Sequence, residues 1–223
     1  MKKNKSDKGI LLEQSNSIHK FYGKTSIYEG YGMSEYPSGD CSEFGIKIIF
    51  KASPEQYVMQ LNECLEQKKN CIKLSDKSII TLYYKLDGSG KIIEHSLSYV
   101  PFILDEDNFV SNRLHEKYNN YQDYFDSMSY KYLRIDYTSL GSEEFKHPLV
   151  HMHLGIKKSI FRVPMYTYVY PYEFIYIILM HYYNNSYENI KEMVDSFQCN
   201  RGTTLSESEL SGIFLMLGNC KKR

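Results

Sequence analysis

The chain has 223 residues, enough for one large domain or one domain with a helical appendage, and its 42% hydrophobic content can fill a sizeable core. Lys and Arg together number 27, as do Asp and Glu, so overall charge gives no support for attachment to nucleic acid. Five cysteines without C-x-x-C spacing argue against a disulfide framework or a zinc knuckle, and the longest apolar run, 174–180, is too short to span a bilayer.

In chain order, residues 8–21 carry Ile10, Leu11, Ile18 and Phe21, a weak helical pattern. Residues 23–41 are rich in Gly, Ser and Tyr and read as a long irregular stretch. Residues 44–50 read as a strand. Ser53, Pro54 and Gln56 then supply a cap, a first-turn proline and a polar third position, and Tyr57, Val58, Leu61, Cys64 and Leu65 form one stripe, which predicts a helix over 54–68. Residues 77–86 and 91–102, joined by Asp87-Gly88-Ser89-Gly90, predict a β-hairpin. A polar stretch follows, helical around 114–125. Strands are expected at 130–137, 147–156 and 159–169, with no helical crossovers between them, which favours antiparallel pairing. Residues 171–183 are almost wholly apolar and predict a buried helix, in which His181 reads as a satisfied core histidine. Residues 186–197 show helical spacing, and Ser206 to Glu209 form a capping box. The expected architecture is a single α+β domain over 1–223: an N-terminal helix and irregular segment (1–42), a sheet-rich core (43–169) and C-terminal helices (170–218). Its sheet is antiparallel and curved, with an inserted early helix and a C-terminal helical cluster.

The densest chemistry lies in 147–155, where three of the seven histidines fall within seven residues. On a strand, side chains two apart share a face. His147, His151 and His153 therefore share one face, with Val150, Met152 and Leu154 on the other. In the preceding strand Arg134 and Asp136 alternate with Leu133, Ile135 and Tyr137; in the following one Arg162 is the odd polar group. If the three strands form a meander, these six polar residues converge. Two guanidinium groups beside imidazoles suit a phosphate or carboxylate. Asp136 could orient an imidazole. A metal site with His-x-His and Asp136 is open as well, although the arginines would repel a cation, so an anion or acid/base site ranks first. One histidine on a strand is ordinarily just a polar residue, and an Arg134–Asp136 pair could be a plain surface ion pair.

At these residues the chain resembles a bacterial domain family of unestablished activity. Its pattern is Arg134-Ile135-Asp136, then His147-Pro148-x-x-His151-x-His153-x-Gly155, then Arg162-Val163-Pro164, then Pro171-x-x-Phe174. The resemblance covers about 130–183. It implies an arrangement and a genomic context of mobile and anti-phage defence loci or toxin-like genes. The histidine-triad nucleotide hydrolases are a second comparison, but Gly155 stands where their third histidine belongs.

The reading is thus a bacterial, cytoplasmic effector, of anti-phage defence or toxin type, acting on a nucleotide or nucleic-acid phosphate. His151 and His153 are its acid/base groups, His147 and Asp136 complete the catalytic set, and Arg134 and Arg162 bind the anion. No metal is assigned, the cofactor is left open and no membrane is expected. The alternative is a non-catalytic subunit binding a partner protein, encoded nearby, through its Tyr-rich apolar helices.

Overall fold

The computed structural model describes residues 5–18, 28–31 (backbone), 43–45, 47, 53, 56–57, 59–61, 64, 71–76, 78–101, 130–141, 147–156, 162–183, 191–192, 195 and 203–207. Within them lie an N-terminal helix α1 (Asp7–Ser17), strands β1 (Tyr28–Tyr31), β2 (Glu43–Gly45), β3 (Cys71–Leu74), β4 (Ile79–Leu86), β5 (Ile92–Val100), β6 (Leu133–Thr138), β7 (Val150–Leu154) and β8 (Arg162–Pro164), and a helix α2 (Pro171–Tyr182). The eight strands form one antiparallel sheet in the order β1-β3-β4-β5-β6-β7-β8. Strand β2 pairs with the second half of β4, through Glu43↔Lys85 to Gly45↔Tyr83. The architecture is α+β.

The β4–β5 hairpin is the backbone of this sheet, and its turn is built as its sequence demands. The Asp87 carboxylate accepts hydrogen bonds from the backbone N–H groups of Ser89 (2.8 Å) and Lys91 (3.0 Å) and from the Ser89 hydroxyl (2.7 Å). These bonds, the hydroxyl's foremost, hold its carboxyl below the usual range.

One face of the sheet is apolar. Ile80, Leu82, Tyr84, Leu97, Tyr99, Leu133, Ile135, Tyr137, Val150 and Met152 are buried there with Ile10 and Leu11 of α1 and Phe174, Ile175, Ile178 and Leu179 of α2. Each such aliphatic or aromatic side chain removed from water contributes about 1.5–3 kcal/mol before the entropy of ordering is counted. Pro171 at the first position and the Glu173 carboxylate, which accepts from the Tyr170 N–H at 2.8 Å, start α2. Helix α1 is tied down by polar bonds. Asp7 accepts from the Ile92 N–H (3.0 Å) and from the hydroxyls of Tyr168 and Tyr170, and Gln14 Oε1 accepts from the Tyr172 N–H (2.9 Å). His95 also lies on this face, its Nε2 accepting from the Val169 N–H at 3.2 Å between the rings of Tyr84 and Tyr137.

Several expectations need correction. Residues 23–41 are not wholly irregular: Tyr28–Tyr31 is a strand, because its backbone finds the open edge of β3. Of the strand expected at 44–50, the described part is the end of β2 (Glu43–Gly45), where Gly45 has a φ of +75°; residues 46 and 48–50 lie outside the described residues. His181 is exposed in the last turn of α2 and not in the core, a position where a cation would complement the helix dipole. Leu154, expected to face the core, is 46% exposed at the end of β7. The helix expected at 54–68 is present at its described residues 56–57, 59–61 and 64, with Tyr57, Leu61 and Cys64 buried. The helix expected at 114–125 lies outside the described residues, as do most of 186–197 and, beyond Glu207, the helix expected after Ser206.

Candidate functional site

The second face of the sheet carries the polar residues, and register decides which of them meet. Ser96 of β5 is opposite Asp136 of β6, and Asp136 is opposite His151 of β7. One pair along, Ser98 is opposite Arg134, Arg134 opposite His153, and His153 opposite Arg162 of β8. The meander thus brings Arg134, Asp136, His151, His153 and Arg162 onto one surface. His147, just ahead of β7, joins them: its ring centroid is 4.8 Å from that of His151, and His151 and His153 are likewise 4.8 Å apart, each pair edge to face.

Asp136 is the hub. Its Oδ2 accepts from Arg134 Nε at 2.8 Å, and its Oδ1 accepts from the Ser96 hydroxyl at 2.8 Å. The same Oδ2 lies 3.3 Å from His153 Nε2 and 4.0 Å from His151 Nε2. Burial works against the carboxylate's charge most strongly, but the His153 ring, the Arg134 guanidinium and the Ser96 hydroxyl outweigh it and hold the carboxyl well below the usual range. Asp136 is therefore an anion at neutral pH. The Arg134–Asp136 pair is no plain surface contact, since the two side chains are only 17% and 24% exposed. Its geometry assigns Arg134 to holding the carboxylate in place.

His151 is almost fully buried, at 2% exposure. Its Nδ1 lies 2.9 Å from the Pro148 carbonyl, which can only accept, so Nδ1 carries the proton and Nε2 presents its lone pair. Burial pushes its pKa down to about 4; the neighbouring His153 and His147 rings act the same way, against the Pro148 carbonyl and Asp136. At neutral pH His151 is an uncharged imidazole with a fixed tautomer. His153 Nε2 is buried, and no well-aligned hydrogen bond joins it to Asp136 despite their separation. His147 Nδ1 is likewise buried with no hydrogen-bond partner among the described residues.

All six residues singled out in the sequence therefore share one neighbourhood, with Asp136, His151 and His153 at its centre. Two contributors were not foreseen. Ser96 holds Asp136, and Ser98 faces Arg134 and shares a 3.3 Å hydrogen bond with the buried Tyr132 hydroxyl. The alternation Ser96-x-Ser98 in an otherwise apolar strand was the available signal. Gly155, at the place of a third histidine, has a φ of +79° and donates its N–H to the Tyr132 carbonyl at 2.8 Å, turning the chain out of β7. A side chain there would be strained, so the motif ends at His153 for a backbone reason. Two imidazoles and a carboxylate can exchange protons with a bound molecule, or supply two nitrogens and one oxygen to a cation.

A family model of uncharacterized conserved proteins, DUF2290, matches residues 39–217. The chain belongs to this family. No curated protein and no solved structure matches it. The DUF2290 region takes in β2 to β8, α2 and all six site residues, and it leaves out α1 and β1. No helix among the described residues is long and apolar enough to cross a membrane.

Proposed function

We propose that this DUF2290 protein acts on the phosphate of a nucleotide or nucleic acid, as a bacterial cytoplasmic effector of the anti-phage defence or toxin kind. The observation that carries this reading is the pairing of His151, uncharged with a directed lone pair, beside His153, backed by the Asp136 carboxylate. The first suits a proton acceptor and the second a proton donor. Arg162, in register with His153, supplies the guanidinium for the phosphate in this reading; Arg134 serves through Asp136. His147 packs on His151 and fixes its ring.

The alternative, a non-catalytic subunit docking a partner through Tyr-rich helices, draws less support. The tyrosines of α2 and its C-terminal end pack inward: Tyr172 is buried, and Tyr182 and Tyr183 lie against Tyr99.

The test is the double substitution His151→Ala/His153→Ala, with cellular toxicity or phage protection and hydrolysis of a nucleotide and oligonucleotide panel as readouts. Activity is expected to fall by at least about 100-fold while circular dichroism shows an intact fold. Unchanged activity in a folded double variant overturns the proposal.

A further inference from the structure

We propose that Asp136, His151 and His153 form a binding site for one divalent transition-metal ion of the zinc–iron class, held by two imidazole nitrogens and one carboxylate oxygen. The inference shares its location with the phosphate reading and does not depend on that substrate.

Three observations carry it. The first is spacing. The candidate donor atoms of the three residues all lie within 4.8 Å of one another, with Asp136 Oδ2 3.3 Å from His153 Nε2 and 4.0 Å from His151 Nε2. Donors bound at roughly 2.0–2.1 Å to a tetrahedral ion stand about 3.3 Å apart, so the Asp136–His153 pair already has ligand spacing, while the His151 nitrogen must close in by roughly 0.7–1.5 Å, a shift within reach of side-chain rotation.

The second is orientation. A histidine ligand ordinarily donates its other ring N–H to a carbonyl or carboxylate, which fixes the tautomer and aims the lone pair. His151 does this, with Nδ1 against the Pro148 carbonyl at 2.9 Å and Nε2 turned to Asp136. Asp136 is oriented in turn by Ser96 and Arg134. Backbone geometry and neighbouring side chains thus aim two of the three donors.

The third is an unmet polar atom. His153 Nε2 is buried, faces Asp136 and lacks a well-aligned hydrogen bond. Buried polar atoms are rarely left so, because each costs on the order of 1–3 kcal/mol. A cation between this nitrogen and Oδ2 satisfies the imidazole, while Oδ2 already accepts from Arg134.

The Arg134 charge opposes any cation here. That penalty is the same for any divalent ion, and bonds to the two imidazole nitrogens offset it better for transition metals than for Mg2+ and Ca2+, which prefer all-oxygen shells. The site therefore selects Zn2+, Fe2+ or Mn2+ over Mg2+. An ion takes up both histidine lone pairs, so the acid/base roles given above describe the chain without it.

The experiment is calorimetric titration of the chelator-treated full chain with Zn2+ and, separately, Mg2+, together with elemental analysis after desalting. One equivalent of Zn2+ per chain is expected, with no Mg2+ uptake. His151→Gln and His153→Gln, which keep side-chain bulk should the alanine variants fail to fold, are each expected to weaken Zn2+ binding at least about tenfold. His181→Ala, on the exposed end of α2, is expected to bind as the parent does. Clearly substoichiometric Zn2+ in the folded parent, or undiminished binding in the folded glutamine variants, overturns the proposal. Phosphate-ester hydrolysis on the same samples keeps the two readings apart. Ion binding without turnover leaves this site standing and defeats the phosphate reading, and turnover in a chain that binds no ion does the reverse.

Discussion

Asp136 shows at the scale of one residue how a polar group is made affordable inside a sheet. Its charge is balanced by Arg134 and its second oxygen is taken by Ser96, so neither half-buried charge is left alone. Replacing Asp136 by Ala strands the guanidinium, and the loss is expected at about 2–3 kcal/mol, below the full cost of an uncompensated buried charge because both groups keep some water. Urea denaturation measures it. Lys85→Ala is the contrast: its Nζ lies 3.6 Å from Glu43 Oε1 with both side chains well exposed, and the expected change is under about 0.5 kcal/mol. Equal losses in the two variants contradict this account of the site.

Between elements, register is the deciding quantity, and it is what the amino-acid sequence expresses least. Period-two alternation placed Arg134 with Asp136 and His151 with His153 on the same sides of their strands, and the Asp87–Gly90 turn announced the hairpin, because these depend on neighbours in the chain. That Asp136 faces His151 and Ser96 depends on hydrogen bonds between strands far apart in sequence, which no local pattern encodes. Strand β1 escaped for a related reason: Tyr28–Tyr31 has little strand character of its own and is extended because β3 offers an edge. The short strand β2 depends on a single backbone contact. A Cβ added at Gly45 would stand 1.8 Å from the Leu82 carbonyl oxygen, on a φ of +75°. Gly45→Ala is expected to cost at least about 2 kcal/mol and to release β2. Amide exchange should then quicken at 43–45 and at the facing residues 83–85 of β4, and protection retained there would count against the pairing's dependence on this glycine.

Over the whole molecule, burial sets the response to alkali. It raises the Cys71 thiol to about 11 and the Tyr182 hydroxyl to about 12. The unfolded chain releases these protons first, at about pH 9 and about pH 10, while the folded chain keeps them. From there upward the unfolded state binds fewer protons, so stability is complete below about pH 9 and falls as pH climbs through 11 and 12. Denaturant midpoints at about pH 8 and about pH 11 should show the decline, and a thiol reagent at about pH 8 should label Cys71 only after unfolding. A midpoint that rises with alkali reverses the sign and refutes the assignment. Helix α1 carries a different lesson at this scale. It precedes the matched region 39–217, yet Asp7 and Gln14 reach over to Ile92 and Tyr172, and Ile10 and Leu11 sit in the core. The matched region and the unit that packs together accordingly have different borders. A fragment trimmed to 39–217 would expose apolar side chains of α2 that α1 covers, and expression designs for this chain should retain the upstream helix.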